Sequence, residues 1–245
     1  MVAVMASEGR AEQSYCADQV RRHDWDRFIC TLFAPAERRP ALFALLAFNL
    51  EISRTRAMVS ERLLGEIRLQ WWRDAIAAIF RHDTAALKHP VIEALHDAVA
   101  TYALDHNAFE AMIDARSDEF DEDPAASLSA LIEHALGTEG SLIRMQMHVL
   151  ANGTPIAEPD RLTADDVAVA AAIAGLARAQ RAGTGFLEHA RNRLATARSR
   201  QRDIDRRYLP ALLPATLAEM DLRGHQPARL RRQLAVTLKV LRGKF

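Results

Sequence analysis

The side chains best equipped for chemistry in this chain are its grouped carboxylates and guanidiniums. Asp114, Asp118, Asp121 and Glu122 recur at near-helical spacing, which puts them on one helix face. Such a face either collects a divalent cation or forms a solvated acidic edge. Asp165 and Asp166 sit where a helix is expected to begin, and negative charge there favours the helix dipole. Arg54 and Arg56 are a second kind of candidate. A guanidinium grips a phosphate through two parallel hydrogen bonds, so Arg54 turned into a cavity would hold a lipid headgroup or a diphosphate without metal. The alternative for it is an ion pair with Glu51 or with a neighbouring helix. The nine histidines compose no HExxH-like pattern, and Cys16 and Cys30 have neither metal-ligand nor disulfide spacing. Two buried thiols in a reducing cytoplasm are the simplest reading.

The elements that must position these groups read as helices. Of 245 residues only 10 are glycine and 9 proline, a composition that favours helix over strand. Gln13 to His23 forms a short helix, and Pro35 opens the next, with Leu42, Leu45, Leu46, Asn49 and Leu50 on one face. Ser60-Glu61 marks a start, after which Leu63, Leu64, Ile67, Trp71, Ala75 and Ile79 make an apolar stripe. Trp71 and its neighbour Trp72 point in different directions, one to the core and one to a groove. Further helices run from Pro90 to Ala103, from an Asn107 cap to Asp121, and from Ser127 to Leu150. Asn152-Gly153-Thr154-Pro155 is a stop. Thr163 and Asp166 form a weak capping box ahead of a helix over Val167–Ala182, and three more helices cover 187–202, 210–223 and 226–242. Neither alternating strands nor a glycine-rich phosphate loop is visible. The architecture expected is all-α: one compact domain over 1–245, a bundle of roughly nine or ten helices.

Charge is zero overall but unevenly spread. Residues 186–245 carry 14 Lys and Arg against 5 Asp and Glu, while the remainder carries 18 against 27. Either the two parts pair within the bundle, or the basic part meets an acidic partner or an anionic membrane surface. Basic residues such as Arg229, Arg231 and Arg232 lack interleaved aromatics, so no nucleic acid is expected. The N-terminus shows no signal-peptide pattern, and no 18-residue apolar run is free of charge. A cytoplasmic protein, or one peripheral to the inner membrane, is the expectation.

The stretch Thr31–Ala78, TLFAPAERRPALFALLAFNLEISRTRAMVSERLLGEIRLQWWRDAIAA, resembles the opening of the squalene/phytoene synthase family. The likeness extends from about Tyr15 to Phe245. It recurs in Ile132–Leu150, where Gly137 and Gly140 match small residues that let helices meet closely or a ligand bind. It implies the isoprenoid synthase fold. AFNLEISRTRAMVSERLLGEIRLQWWRDAI, with Phe48, Asn49 and Glu51, is most similar to the branch that contains the mitochondrial complex I assembly factor of squalene/phytoene synthase type.

Active members of that family hold Mg²⁺ on aspartates of facing helices, where the metal stabilises departing diphosphate. At the first aspartate position this chain offers Glu51 alone. Ser53 and Arg54 replace the paired aspartates, and Ala57 a third. At the second, no Asp or Glu lies between Val167 and Phe186, and a stretch of the family sequence is missing near 182–186. The resemblance therefore implies a protein that has lost Mg-dependent prenyl transfer. No cofactor is expected, and Asn49, Glu51, Ser53, Arg54, Gly137 and Gly140 are the candidate ligand-binding residues. The partners implied are an isoprenoid or lipid ligand and a subunit of a membrane complex. The alternative is a head-to-head prenyltransferase using Mg²⁺, which at least three carboxylates facing one central pocket would support.

Overall fold

In the computed structural model, residues 15–59, 61–83, 88–121, 123–224 and 228–245 are described. Three positions singled out above, Gln13, Ser60 and Glu122, lie outside them, as does the start of the helix expected over 226–242. Every regular element among the described residues is helical. Helix α1 covers 15–23. It is followed by α2 (Trp25–Thr31), α3 (Arg39–Ser53), α4 (Thr55–Met58), α5 (Arg62–Phe80), α6 (Pro90–Tyr102) and α7 (His106–Asp118). Then come α8 (Leu128–Ala135), a π-helical turn (Leu136–Gly140), α9 (Ser141–Leu150), α10 (Glu158–Arg178) and α11 (Thr184–Ser199). The chain closes with α12 (Leu209–Leu212), α13 (Pro214–Leu222) and α14 (Arg229–Leu241).

Helix α3 is the central rod. Ala41 to Asn49 are all buried, because α2, α6, α7 and α9 pack around it. Phe48 meets Trp72 and Phe109 edge to face, at 5.5 and 5.4 Å between ring centres, which ties α3 to α5 and α7. Helix α10 lies along α11 and α13, and α14 rests on α2 and α13. Residues 179–183 join α10 to α11.

Several local expectations change. Pro35 begins a turn, and Pro40 sits in the first turn of α3 instead. Asp105, not Asn107, caps α7 by accepting from the Asn107 N–H. Helix α10 starts at Glu158, with Pro159 in its first turn, so Thr163 and Asp166 are interior rather than capping. Asp166 is buried and receives Arg193 Nη1 at 2.8 Å and Arg200 Nη1 at 2.7 Å. Asp165 pairs with Arg144. The apolar stripe of α5 divides. Ala75 and Ile79 are core, while Leu63, Leu64, Ile67 and Trp71 are 40–63 % exposed, because no described element covers that face of the helix, whereas Gly65 nearby is buried against Phe120. Trp72 is the core tryptophan. The basic part does pair with the rest at particular points, through Asp166 and through Asp26, which accepts from Arg232 Nε at 2.9 Å.

Candidate functional site

The small residues of α10 make room for a pocket. Ala171, Ala172 and Gly175 form one wall of a cavity of about 470 Å³. Arg27 of α2, Arg56 of α4, Arg116 of α7 and His134 of α8 also line it, together with Thr138 and Glu139 of the π turn. Arg178, at the end of α10, and Arg181, just after it, complete the rim. Among the described lining residues, five guanidiniums meet three carboxylates, Glu119, Asp123 and Glu139.

All three carboxylates are already engaged. Arg116 Nη1 donates to Glu119 at 2.6 Å and Arg181 Nη2 to Asp123 at 2.7 Å. Arg27 donates to Glu139 and also to Asp24, the latter at 2.8 Å. Burial alone would lower the Arg27 pKa, but Glu139 and Asp24 outweigh it and hold the guanidinium above its ordinary value. Burial and then the Arg116 charge push His134 below the usual histidine value, so its ring is neutral at neutral pH. Arg178 reaches Asp26 at 3.4 Å, and Arg56 lies over the Phe120 ring at 5.8 Å. This arrangement suits an anion, which would exchange or share the guanidinium hydrogen bonds now made to carboxylates.

The residues singled out in the sequence are divided by the fold. Asn49 is 3 % exposed in the core, and its Oδ1 has no hydrogen-bond partner among the described residues. Glu51 accepts from Arg68 Nη2 of α5 at 2.8 Å. Ser53 Oγ donates to the Leu50 carbonyl at 3.2 Å. Arg54 is exposed and lies 3.1 Å from His23 Nδ1, so it neither pairs with Glu51 nor lines the pocket. The helix breaks between α3 and α4 at Arg54, and beyond that break Arg56, itself exposed, lines the pocket mouth instead. Gly137 and Gly140 flank the pocket-lining Thr138 and Glu139. A Cβ on Gly137 would sit 3.0 Å from the Ala115 Cβ, and one on Gly140 2.9 Å from Arg144 Nη1. Both are therefore places of close packing. Sequence reasoning passed over Arg27, Arg116, Arg178 and Arg181. Nothing in local spacing marks them, since they come from separate elements.

Asp114 and Asp118 of α7, Asp121 just beyond it and Glu133 of α8 line a neighbouring cavity of about 420 Å³. Arg73 Nη1 reaches Asp114 at 2.7 Å, and Arg62 pairs with Asp121. Among the described residues, no three His, Cys, Asp or Glu side chains gather as a metal-holding group.

Comparison with known proteins places this architecture. The sequence profile of the family described as squalene/phytoene synthase matches residues 20–182. The chain belongs to the squalene/phytoene synthase family. Two solved family folds superpose on it. A dehydrosqualene synthase in complex with ligand does so with a TM-score of 0.73 at 12 % identity, over 96 % of this chain and 99 % of that one. The squalene synthase HpnC from Alicyclobacillus acidocaldarius gives 0.71 at 15 % identity, over 98 % and 97 %. At these identities the likeness concerns the fold. Curated relatives are named NADH dehydrogenase (ubiquinone) complex I, assembly factor 6. The Homo sapiens protein is 29 % identical over 136 residues and the Rattus norvegicus protein 32 % over 136, in each case 56 % of this chain and 40 % of the relative. The Drosophila melanogaster homolog is 32 % identical over 106 residues, 42 % of this chain and 32 % of its own. The match thus spans well under half the length of these relatives.

The family fold implies magnesium on carboxylates of facing helices, and the residues present do not fit it. Glu51 is held by Arg68, α10 faces the pocket with Ala171, Ala172 and Gly175, and the carboxylates that do line the pocket are neutralised by arginine. A divalent cation needs several free oxygens at short range.

Proposed function

We propose that this family member is a binding protein serving the assembly of a membrane respiratory complex of the complex I type, without Mg-dependent prenyl transfer. Its pocket takes the anionic head of an isoprenoid or lipid. One observation carries the reading: the pocket wall that would need carboxylates offers alanine and glycine, and its rim offers guanidiniums. Arginine supplies charge and directed hydrogen bonds to phosphate without a metal. The names of the curated relatives support the assembly role, and a membrane-complex subunit is then the partner.

Titration calorimetry with farnesyl diphosphate in EDTA tests this. Binding without Mg²⁺ is expected, weakened about tenfold or more in Arg181→Glu, because each charge-assisted hydrogen bond contributes roughly 1.5–3 kcal/mol. Robust squalene or phytoene formation from farnesyl or geranylgeranyl diphosphate with Mg²⁺ would overturn it. That outcome belongs to the second reading, a head-to-head prenyltransferase. The second reading draws on the three carboxylates Glu119, Asp123 and Glu139 that do line the pocket, and it requires each to leave its arginine and turn to metal.

A further inference from the structure

We propose that the outer face of α14 is a docking surface for an anionic phospholipid bilayer. The surface is separate from the pocket and does not depend on the reading given to it. Leu230, Leu234, Leu238 and Leu241 follow one another at steps of four, four and three, and so form one stripe. All four are 50–78 % exposed, although leucine normally seeks the interior. The opposite side of the same helix is fixed. Val236 is buried with Ile29 and Leu217, and Arg232 donates to Asp221 at 2.6 Å and to Asp26 at 2.9 Å. The helix therefore cannot roll its leucines inward without breaking a buried ion-pair network.

Charge selects the occupant. From Ala228 to Phe245 the chain has no Asp or Glu. With Arg232 neutralised inside, Arg231 and Arg242 remain exposed along one edge of the stripe. At the C-terminal end of α14 a further cavity, of about 400 Å³, is lined by Arg202, Arg206, Arg242 and Lys244, none of which forms an ion pair with a described carboxylate, and by Asp205, which is held by Arg207. A leucine stripe about 17 Å long beside these cations matches a bilayer interface, where the apolar face enters the acyl boundary and the cations meet phosphate. A second copy of the chain would set like charges edge to edge, which opposes self-association.

Flotation of the whole chain with vesicles decides the matter. Vesicles of phosphatidylcholine with about a third phosphatidylglycerol should bind it, and pure phosphatidylcholine should bind it at least about tenfold less. Leu234→Ser with Leu238→Ser, and separately Arg242→Glu with Lys244→Glu, should each cost about tenfold, the wild type losing a similar factor near 0.5 M salt. All four side chains are exposed, so unchanged melting curves will show that the variants fold. Equal binding to neutral vesicles overturns the proposal, as does indifference to both pairs of substitutions. Conversion of a dimer to a monomer by the leucine pair, with vesicle binding unchanged, overturns it in favour of a second copy. Farnesyl diphosphate affinity in the same variants should stay at the wild-type value, which separates this surface from the pocket.

Discussion

The pocket rim and the end of α14 are both built from arginine, yet they solve the problem of its charge in opposite ways. At the rim, Arg27, Arg116 and Arg181 each hold a carboxylate. At the end of α14, Arg202, Arg206, Arg242 and Lys244 gather around one cavity without such partners among the described residues, its Asp205 being held by Arg207. A paired guanidinium has a fixed direction and a weak field beyond its partner. An unpaired cluster has loose side chains and a field that reaches about a Debye length, roughly 8–10 Å, into solution. The first is suited to recognising the shape of one anion, and the second to capturing a surface of many.

Arg232 sits between the two regimes, a cation of the basic part drawn into the core. Arg232→Ala should lose about 3 kcal/mol in denaturant unfolding, since it leaves buried Asp221 and half-buried Asp26 only their longer contacts to Arg178. It should also weaken vesicle flotation by loosening α14. Full stability in that variant would mean that the helix is not held as described.

A smaller effect separates the regimes by pH. Burial, the largest cause, lowers the pKa of His89, His134 and His189, with Arg116 adding at His134 and Arg193 at His189. The unfolded chain then binds more protons once pH falls below about 6.5, so stability present above that value should decline as pH drops toward the folded-state values. Thermal melts from pH 7.5 to 5.5 will show it, and His134→Gln should flatten the slope. A slope unchanged by that substitution would place His134 in a wetter pocket than its contacts with Ala115 and Glu119 imply. The smallest effect belongs to the surface itself: Leu234→Ser with Leu238→Ser should shift unfolding free energy by no more than about 0.5 kcal/mol per site, because neither residue packs inside.

The fold was legible in the sequence because helices such as α6, and the run from Ser127 to Leu150, carry their own stops and starts: Pro90, Ala103, Ser127 and Asn152-Gly153. The exposed leucines of α5 and α14 were not legible as exposed. Periodicity reports that a helix has an apolar face, and only the other elements decide whether something covers it. The pocket was half legible. The missing carboxylates could be read at Ser53 and Arg54, but the guanidinium that lines the pocket is Arg56, two residues on, because the break after α3 resets the register. The remaining rim arginines come from α2, α7 and α10 and meet only when the bundle closes.

The π turn at Leu136–Gly140 sets the angular phase between α8 and α9. Such a turn amounts to one additional residue wound into an otherwise regular helix. Each residue advances an α-helix by about 100°, so excising a single residue there would swing Leu142, Met145, Gln146 and Val149 away from the interior they now occupy. In this segment chain length is as constrained as side-chain identity, and conservative replacement of Thr138 would be tolerated far more readily than its deletion.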